Sequence, residues 1–185
     1  MISTSEFKNG TIFEWDGRIW QVAWFQHHKP GKGGAVMRLK LKNMKTGDII
    51  ERTFKSGESF REVEAMRRKK TFSYIDGDRY HFIDVETYED MEILKEVLGE
   101  TAGYLKENME IQALYLDDEF LNIEIPASVQ LKVIETVPGV RGNTVSNTTK
   151  PAKVETGIEV AVPLFINEGD VIKVDTRSGD YVERV

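Results

Sequence analysis

The segment of the chain most suited to chemistry places two lysines and three glycines around one proline. Its residues are Lys29, Pro30, Gly31, Lys32, Gly33 and Gly34. Proline fixes its own φ angle and glycine tolerates positive φ, so this composition predicts a tight hairpin tip. Such a tip lets the backbone and the amine of Lys32 approach a crowded surface closely. The alternative interpretation is an ordinary hairpin turn whose lysines add solubility.

A triphosphate-binding loop is excluded by the same residues. That loop requires glycine five residues before Gly31 and serine or threonine directly after Lys32. Gln26 and Gly33 occupy those two positions. The lysine at the tip is therefore not expected to bind a nucleoside triphosphate.

The rest of the sequence gives little indication of a catalytic site or a metal site. There is no cysteine, and the neighbours His27 and His28 would point to opposite faces of a strand, so one metal ion could hardly bind both. The acid pair Asp117 and Asp118 is predicted to lie in a solvated turn, with no partner base nearby in the sequence. No cofactor and no enzymatic activity are predicted; an amine nucleophile at Lys32 is the enzymatic alternative.

Strands on both sides must position the tip. Residues 11–54 show aromatic and branched runs separated by turn signals such as Asp16-Gly17, which predicts a meander of hairpins. After the tip, residues 35–42 alternate with period two. One face of that strand is predicted to carry Met37, Leu39 and Leu41, and the opposite face Arg38, Lys40 and Lys42.

The strand before the tip is rich in large apolar side chains. Strict alternation over residues 19–28 puts Trp20 and Trp24 on one face and Ile19, Ala23 and Phe25 on the other. This bulk is enough to close a small barrel.

Length and composition indicate several small globular domains. The chain has 185 residues, 40% of them apolar and 30% charged. We predict domains at 1–64, 65–127 and 128–185, because turn-rich stretches separate runs of short strands. The start of the chain has neither a basic cluster nor an apolar run, and no window approaches the ~20 apolar residues of a membrane helix. A cytoplasmic protein without membrane association is expected, and a monomer.

Charge is distributed unevenly along the chain. Residues 1–70 contain 15 Lys or Arg against 8 Asp or Glu, whereas residues 71–185 contain 10 against 23. The basic first part favours a nucleic-acid partner, and the acidic remainder would limit nonspecific binding. Simple solvation of both parts is the alternative.

The second and third domains are predicted to be mostly β. Arg67 to Lys70 is a basic stretch that is predicted to bury little side-chain surface. A strand over residues 71–75 and a hairpin turn at 76–78 are predicted to follow it. Residues 87–99 show helical spacing, and the pattern also allows a second short helix over residues 101–106. Five-stranded oligonucleotide-binding barrels fit the remaining short strands. Their aromatics are predicted to be mainly core rather than base-stacking groups: Phe72, Tyr74, Tyr80 and Phe82.

The chain resembles the bacterial elongation factor P family over its whole length. Specific matches are Phe25-Gln26-His27, the tip from Lys29 to Ala35, Lys150-Pro151-Ala152-Lys153, Glu155-Thr156-Gly157, Val162-Pro163, Phe165 and Gly169-Asp170. The resemblance implies an all-β protein with three small barrels, a KOW/SH3-like barrel followed by two OB-folds, in an L shape that mimics tRNA.

The resemblance also implies a function. Members of the family bind the ribosome between the peptidyl and exit sites, contact both subunits, and relieve stalling at consecutive prolines without being enzymes. A general single-stranded RNA-binding protein that uses OB-folds as stacking platforms is the alternative.

Site residues follow from the matched positions. Lys32 corresponds to the lysine that modifying enzymes extend and that reaches towards peptidyl-site tRNA, and Lys29, Pro30, Gly31, Gly33 and Gly34 would shape its tip. From charge alone, Arg38, Lys40 and Lys42 are predicted to follow the RNA backbone. Gly142, Asn143 and Thr144 correspond to a loop facing the small subunit, where the family often has Asp at the position of Asn143. The chemical group added to Lys32 is left open.

Overall fold

The structure is a computed structural model that describes residues 1–29, 34–139 and 148–185. Predictions on Pro30, Gly31, Lys32 and Gly33, and on Gly142, Asn143 and Thr144, lie outside these residues. The described chain forms two compact units. The first comprises Met1–Gly99 and Ile111–Glu124, and the second comprises Glu100–Glu110 and Ile125–Val185.

The described residues are mostly β-strand, as predicted. Their strands are β1 (Ile2–Ser3), β2 (Ile12–Trp15), β3 (Arg18–His28), β4 (Val36–Asn43), β5 (Ile49–Lys55), β6 (Ser59–Glu62), β7 (Met66–Asp76), β8 (Arg79–Asp84), β9 (Asp90–Leu94), β10 (Glu110–Leu116), β11 (Glu119–Glu124), β12 (Ser128–Thr136), β13 (Thr149–Val154), β14 (Glu159–Pro163), β15 (Val171–Asp175) and β16 (Tyr181–Arg184). Helical turns are brief: 3-10 helices at Thr4–Glu6 and Gly99–Tyr104 and an α-helix, α1, at Lys95–Leu98. None of the helices in the described part of the chain has the length and apolarity needed to cross a membrane.

The strands form three sheets. The first has the order β1-β6-β2-β3-β4-β5, the second β11-β10-β7-β8-β9 and the third β14-β13-β12-β15-β16. The first and second sheets belong to the first compact unit, and the third sheet belongs to the second unit. The domain boundaries at 64 and 127 stay a prediction.

The first sheet curls around an aromatic-rich core, to which Phe7, Phe13, Trp20, Val22, Met37, Leu39, Leu41 and Phe54 contribute. The prediction for Trp24 is wrong. A β-bulge at Ala23 shifts the register between β3 and β4, so Val22 pairs with Leu41 whereas Trp24 pairs with Lys40. The extra residue reverses the facing of all later side chains on β3, because side chains alternate with period two. Trp24 is consequently 43% exposed.

In the second sheet, a predicted helix is largely a strand. Asp90–Leu94 pairs with β8, from Arg79↔Leu94 to Ile83↔Asp90, and only Lys95–Leu98 is α-helical. Hydrogen bonding to β8 outweighs the local helical spacing, since propensity is a weak prior against tertiary pairing. The basic stretch was also misjudged, because β7 begins at Met66 and Lys70 is buried at 5% exposure.

An apolar cluster joins the two sheets of the first unit. Ile12 of the first sheet and Met44, directly after β4, pack with Leu114 and Leu121 from the second sheet, all at most 4% exposed. The amide of Asn122 donates to the carbonyl of Met44 at 3.3 Å. The two sheets therefore share buried apolar surface, the main source of stability for small domains.

The third sheet encloses its own core of branched aliphatic residues. Alternate positions of β12, Val129, Leu131 and Val133, are at most 5% exposed. A methyl group on Gly103, in the 3-10 helix of this unit, would collide with the side chain of Ile158. The small residue thus allows that helix to pack closely on the unit.

Candidate nucleic-acid interface

The cations of β4 lie opposite its apolar residues, as the alternation predicts. Met37, Leu39 and Leu41 are at most 1% exposed, and each faces the core of the first sheet. Arg38 and Lys40 are exposed on the other side of the strand, and Lys42 is half-buried there. The strand therefore holds its cations in fixed positions without contributing them to the core.

Cross-strand pairing extends this cationic surface over three strands. One row consists of Trp24, Lys40 and Glu51, and the next row consists of Gln26, Arg38 and Thr53. We call the surface formed by these six residues the outer face. It borders a groove of about 780 Å³.

Charges on the outer face are only loosely matched. The Lys40 Nζ lies 3.7 Å from Glu51 Oε1, and both side chains are at least half exposed. Arg38 has no ion pair within the described part of the chain. Arg52 is on the opposite face of β5, with its guanidinium 5.7 Å from the centre of the Trp15 ring. The outer face thus presents a guanidinium and an amine to solvent.

The tip that carries Lys32 lies between β3 and β4 in the sequence. β3 extends to His28 and β4 begins at Val36, and both Lys29 and Gly34 are exposed. His27 packs edge-on against Phe25, with ring centroids 6.1 Å apart. The segment that carries Lys32 therefore joins the ends of two long, paired strands.

The second predicted loop is fixed at its base in the second unit. Buried Lys150 donates from Nζ to the carbonyl of Val137 at 2.7 Å. A methyl group on Gly139 would collide with the carbonyl of Leu164. These contacts hold both flanks of the segment 140–147, which contains Gly142, Asn143 and Thr144.

The acid pair Asp117 and Asp118 lies in a turn, and its neighbours are structural. Asp117 and Asp118 adopt positive φ angles of 48° and 65° in the turn between β10 and β11. Asp118 Oδ1 lies 3.6 Å from Arg68 Nη2. Within residues 1–29, 34–139 and 148–185, no cluster of metal-binding side chains is found. The acid pair is accordingly a turn element.

The aromatic residues of the second sheet are mainly core, as predicted. Phe72, Tyr80 and Phe82 are at most 6% exposed. Tyr74 is 52% exposed, but its ring stacks on His81 with centroids 4.3 Å apart. Most of this sheet's aromatic surface is therefore unavailable for stacking on bases, which disfavours the general single-stranded RNA-binding alternative.

A buried ion pair connects two neighbouring strands of the second sheet. Asp84 accepts hydrogen bonds from the backbone N–H groups of Thr87 and Glu86, and from Lys70 Nζ at 3.0 Å. The backbone bonds, followed by that of Lys70, hold the pKa of Asp84 well below its usual range. Asp84 is therefore ionised throughout the neutral range.

Sequence reasoning missed one residue of this interface, Trp24. The period-two pattern put it on the same face as Trp20, and the bulge at Ala23 turns it to the opposite face. The one local signal is the small residue Ala23 between Val22 and Trp24, but alanine is common in regular strands as well.

Comparison with known proteins assigns each sheet to a family domain. The KOW-like domain of elongation factor P matches residues 3–60, its OB domain residues 65–123 and its C-terminal domain residues 129–184. The described sheets are thus those of a translation factor built from a KOW-like domain and OB-type domains.

Relatives matched over their full length support the same family assignment. Proteins named elongation factor P are 54% identical in Endomicrobium trichonymphae and 49% in Moorella thermoacetica, with 100% of both chains covered in each case. Among solved structures, eukaryotic translation initiation factor 5A from Methanococcus jannaschii is similar over 67% of this chain and 91% of that chain, at 24% identity and a TM-score of 0.45. The chain belongs to the elongation factor P family. It is a translation elongation factor, and the family implies the ribosome as its partner.

Proposed function

We propose that the chain binds the ribosome between the peptidyl and exit sites and stimulates peptide-bond formation at consecutive prolines. In this proposal, post-translationally modified Lys32 positions the peptidyl-tRNA. The observation that carries it is the long β3–β4 hairpin, whose strand ends are followed by exposed Lys29 and preceded by exposed Gly34, with Lys32 between them in sequence. The cationic outer face of the same hairpin supports an RNA partner.

The proposed mechanism requires no acid, base or nucleophile from the factor. Proline's locked φ and secondary amine make a productive attack geometry hard to reach. Holding the end of the peptidyl-tRNA near that geometry lowers the entropic part of the barrier. The ribosome remains the catalyst, and the factor is not an enzyme.

Partners follow from this mechanism. Arg38, Lys40 and Lys42 would contact RNA phosphates, whose spaced charges reward spaced cations. A lysine-modifying enzyme would act on Lys32, and the intact mass of protein purified from its own host identifies the added group. We further propose that the factor acts as a cytoplasmic monomer without a cofactor, with domains at 1–64, 65–127 and 128–185.

The decisive experiment replaces Lys32. Lys32→Ala should fold and bind ribosomes but lose most of the stimulation on a polyproline message, because no other group of the tip carries the modification. Its cost in stability should be below about 1 kcal/mol, as for substitutions away from a core. Lys32→Arg should fail equally, since it retains a cation that lysine-modifying enzymes do not recognise.

Lys29→Arg is the matched control and should retain stimulation, because it keeps a cation in the same segment without touching the modified residue. The measurement is the rate of synthesis through consecutive prolines, alongside ribosome affinity. Full stimulation by Lys32→Arg and by unmodified protein would mean that Lys32 is only a turn residue.

The loop of the second unit is proposed to contact the small subunit through Gly142, Asn143 and Thr144. Asn143→Asp restores the residue that the family often has and should change ribosome affinity only modestly, by less than about tenfold. It should leave stimulation per bound factor unchanged, since the modified lysine is elsewhere. Loss of stimulation with normal affinity would refute this division of roles.

A further inference from the structure

Trp24 is an exposed indole on the same face of the sheet as two cations. It lies in the same cross-strand row as Lys40, and Arg38 is in the next row of β4. Diagonal neighbours on a sheet are about 7–8 Å apart, within reach of long side chains. Because Trp24 is 43% exposed, much of the indole is accessible.

The bulge at Ala23 is what makes this arrangement. Without the extra residue, Trp24 would face the core together with Trp20 and Val22, and Phe25 would face outwards. Phe25 instead packs against the core of the first sheet. The register shift therefore moves the indole from the core side to the cationic side of the sheet.

We propose that Trp24 and Arg38 form a binding subsite for one nucleotide of the partner RNA, with the base stacked on the indole and its phosphate on the guanidinium. This inference rests on the proposed ribosome binding and adds a stacking contact to it. An aromatic ring among cations is the usual platform for an unpaired base, whichever base it is. Trp24 and Arg38 both line the open groove of about 780 Å³, so a group lying in the groove would contact both side chains.

Charge complementarity favours RNA over a protein partner. The outer face has two cations, Arg38 and Lys40, against one carboxylate, Glu51. Phosphate is attracted to this balance, and the polar residues Gln26 and Thr53 complete the row beside Arg38. An apolar protein partner would instead have to bury these polar groups at a cost.

The test measures ribosome affinity of Trp24→Leu at several salt concentrations. Affinity should fall by between about 5-fold and 150-fold, the range for losing one stacked base. The salt dependence should not change, because the indole carries no charge and releases no counterion. Trp24→Phe should recover most of the affinity, since it retains an aromatic surface. Arg38→Gln should instead reduce the slope of the salt dependence.

Tyr88→Leu is the control, because Tyr88 is 79% exposed and is not part of the outer face. It should bind like the parent protein, and thermal unfolding of every variant checks that the fold is intact. Unchanged affinity of Trp24→Leu while the parent protein binds would overturn the subsite alone. If Trp24→Leu binds ribosomes with normal affinity but is no longer modified at Lys32, the subsite proposal is wrong. The surface around Trp24 would then be a docking site for the modifying enzyme. If the parent protein does not bind ribosomes, the proposed function fails as well.

Discussion

Charged residues of the first and second sheets differ in what neutralises them. In the second sheet, Lys70 and Asp84 form a buried pair at 3.0 Å. On the outer face of the first sheet, Lys40 lies 3.7 Å from Glu51 with both side chains exposed, and Arg38 has no ion pair among the described residues. Charges that satisfy each other inside the protein belong to its fold, whereas solvated charges remain available to a partner.

The same contrast separates the aromatic residues. Phe72 and Phe82 of the second sheet are buried in contact, with ring centroids 5.4 Å apart. Trp24 of the first sheet is exposed beside cations. The second sheet therefore buries this aromatic pair and this ion pair, whereas the outer face of the first sheet holds one indole and two cations at its surface.

The largest effect is expected from breaking the buried pair. Lys70→Ala removes the partner of Asp84 Oδ2 and should lower the thermal midpoint by roughly 10 °C or more. Because the pKa of Asp84 is lowered in the folded state, its ionisation stabilises the fold above its ordinary pKa of about 3.9. That stability is lost as the pH falls below this value. The backbone bonds from Thr87 and Glu86 remain in the variant, so the pKa of Asp84 stays low there too. The difference between variant and parent should therefore persist down to about pH 4 and narrow only at lower pH in pH-dependent thermal unfolding.

An exposed pair in the same sheet is the control. Arg79 lies 2.7 Å from Glu92, and both side chains are at least 44% exposed. Arg79→Ala should change the midpoint little, as exposed pairs contribute about 0–1 kcal/mol. Equal losses for Lys70→Ala and Arg79→Ala would mean that burial does not distinguish the two kinds of charge.

A smaller effect on stability and a clear effect on binding are expected for the three cations of β4. Changing Arg38, Lys40 and Lys42 together to Gln should leave the thermal midpoint within a few degrees, since alternation keeps them out of the core. Ribosome affinity should fall at least about tenfold, and the slope of log affinity against log salt should decrease by about 0.7 for each lost phosphate contact.

Three exposed lysines elsewhere provide a matched change in net charge. The control variant replaces Lys8, Lys95 and Lys153 by Gln, and each of these residues is exposed. It should reduce affinity far less, because it alters only the overall field. If both triple variants lose the same affinity, position on the outer face does not matter and net charge alone governs binding.

Residue periodicity was sufficient to predict part of this molecule. The facing of Met37 and Arg38 on β4 and the burial of Phe72 on β7 and Phe82 on β8 follow from alternation, because the three strands keep a regular period up to these residues. The all-β class followed from short strands between turn signals. These features depend on local patterns, which the sequence displays directly.

Features that depend on distant pairing were not predicted. The bulge at Ala23 and the strand Asp90–Leu94 arise from hydrogen bonds to β4 and β8. The pair of Lys70 and Asp84 joins residues of two paired strands, although Lys70 belongs to a run of four cations that resembles a solvated linker. Single-sequence patterns do not specify register shifts or partners across a sheet.

The smallest expected effect concerns the one carboxylate of the outer face. Glu51→Gln removes the partially neutralising neighbour of Lys40, so the amine becomes fully available to a phosphate, and ribosome affinity should increase by up to about threefold. Stability should change by less than about 0.5 kcal/mol, because both side chains are exposed. Glu107→Gln, at another exposed carboxylate, makes the same change in net charge and serves as the control. An increase with Glu51→Gln alone would show that binding responds to charge on the outer face. A decrease with Glu51→Gln would mean that this carboxylate contacts the partner itself, and that the outer face is not simply a surface for phosphates.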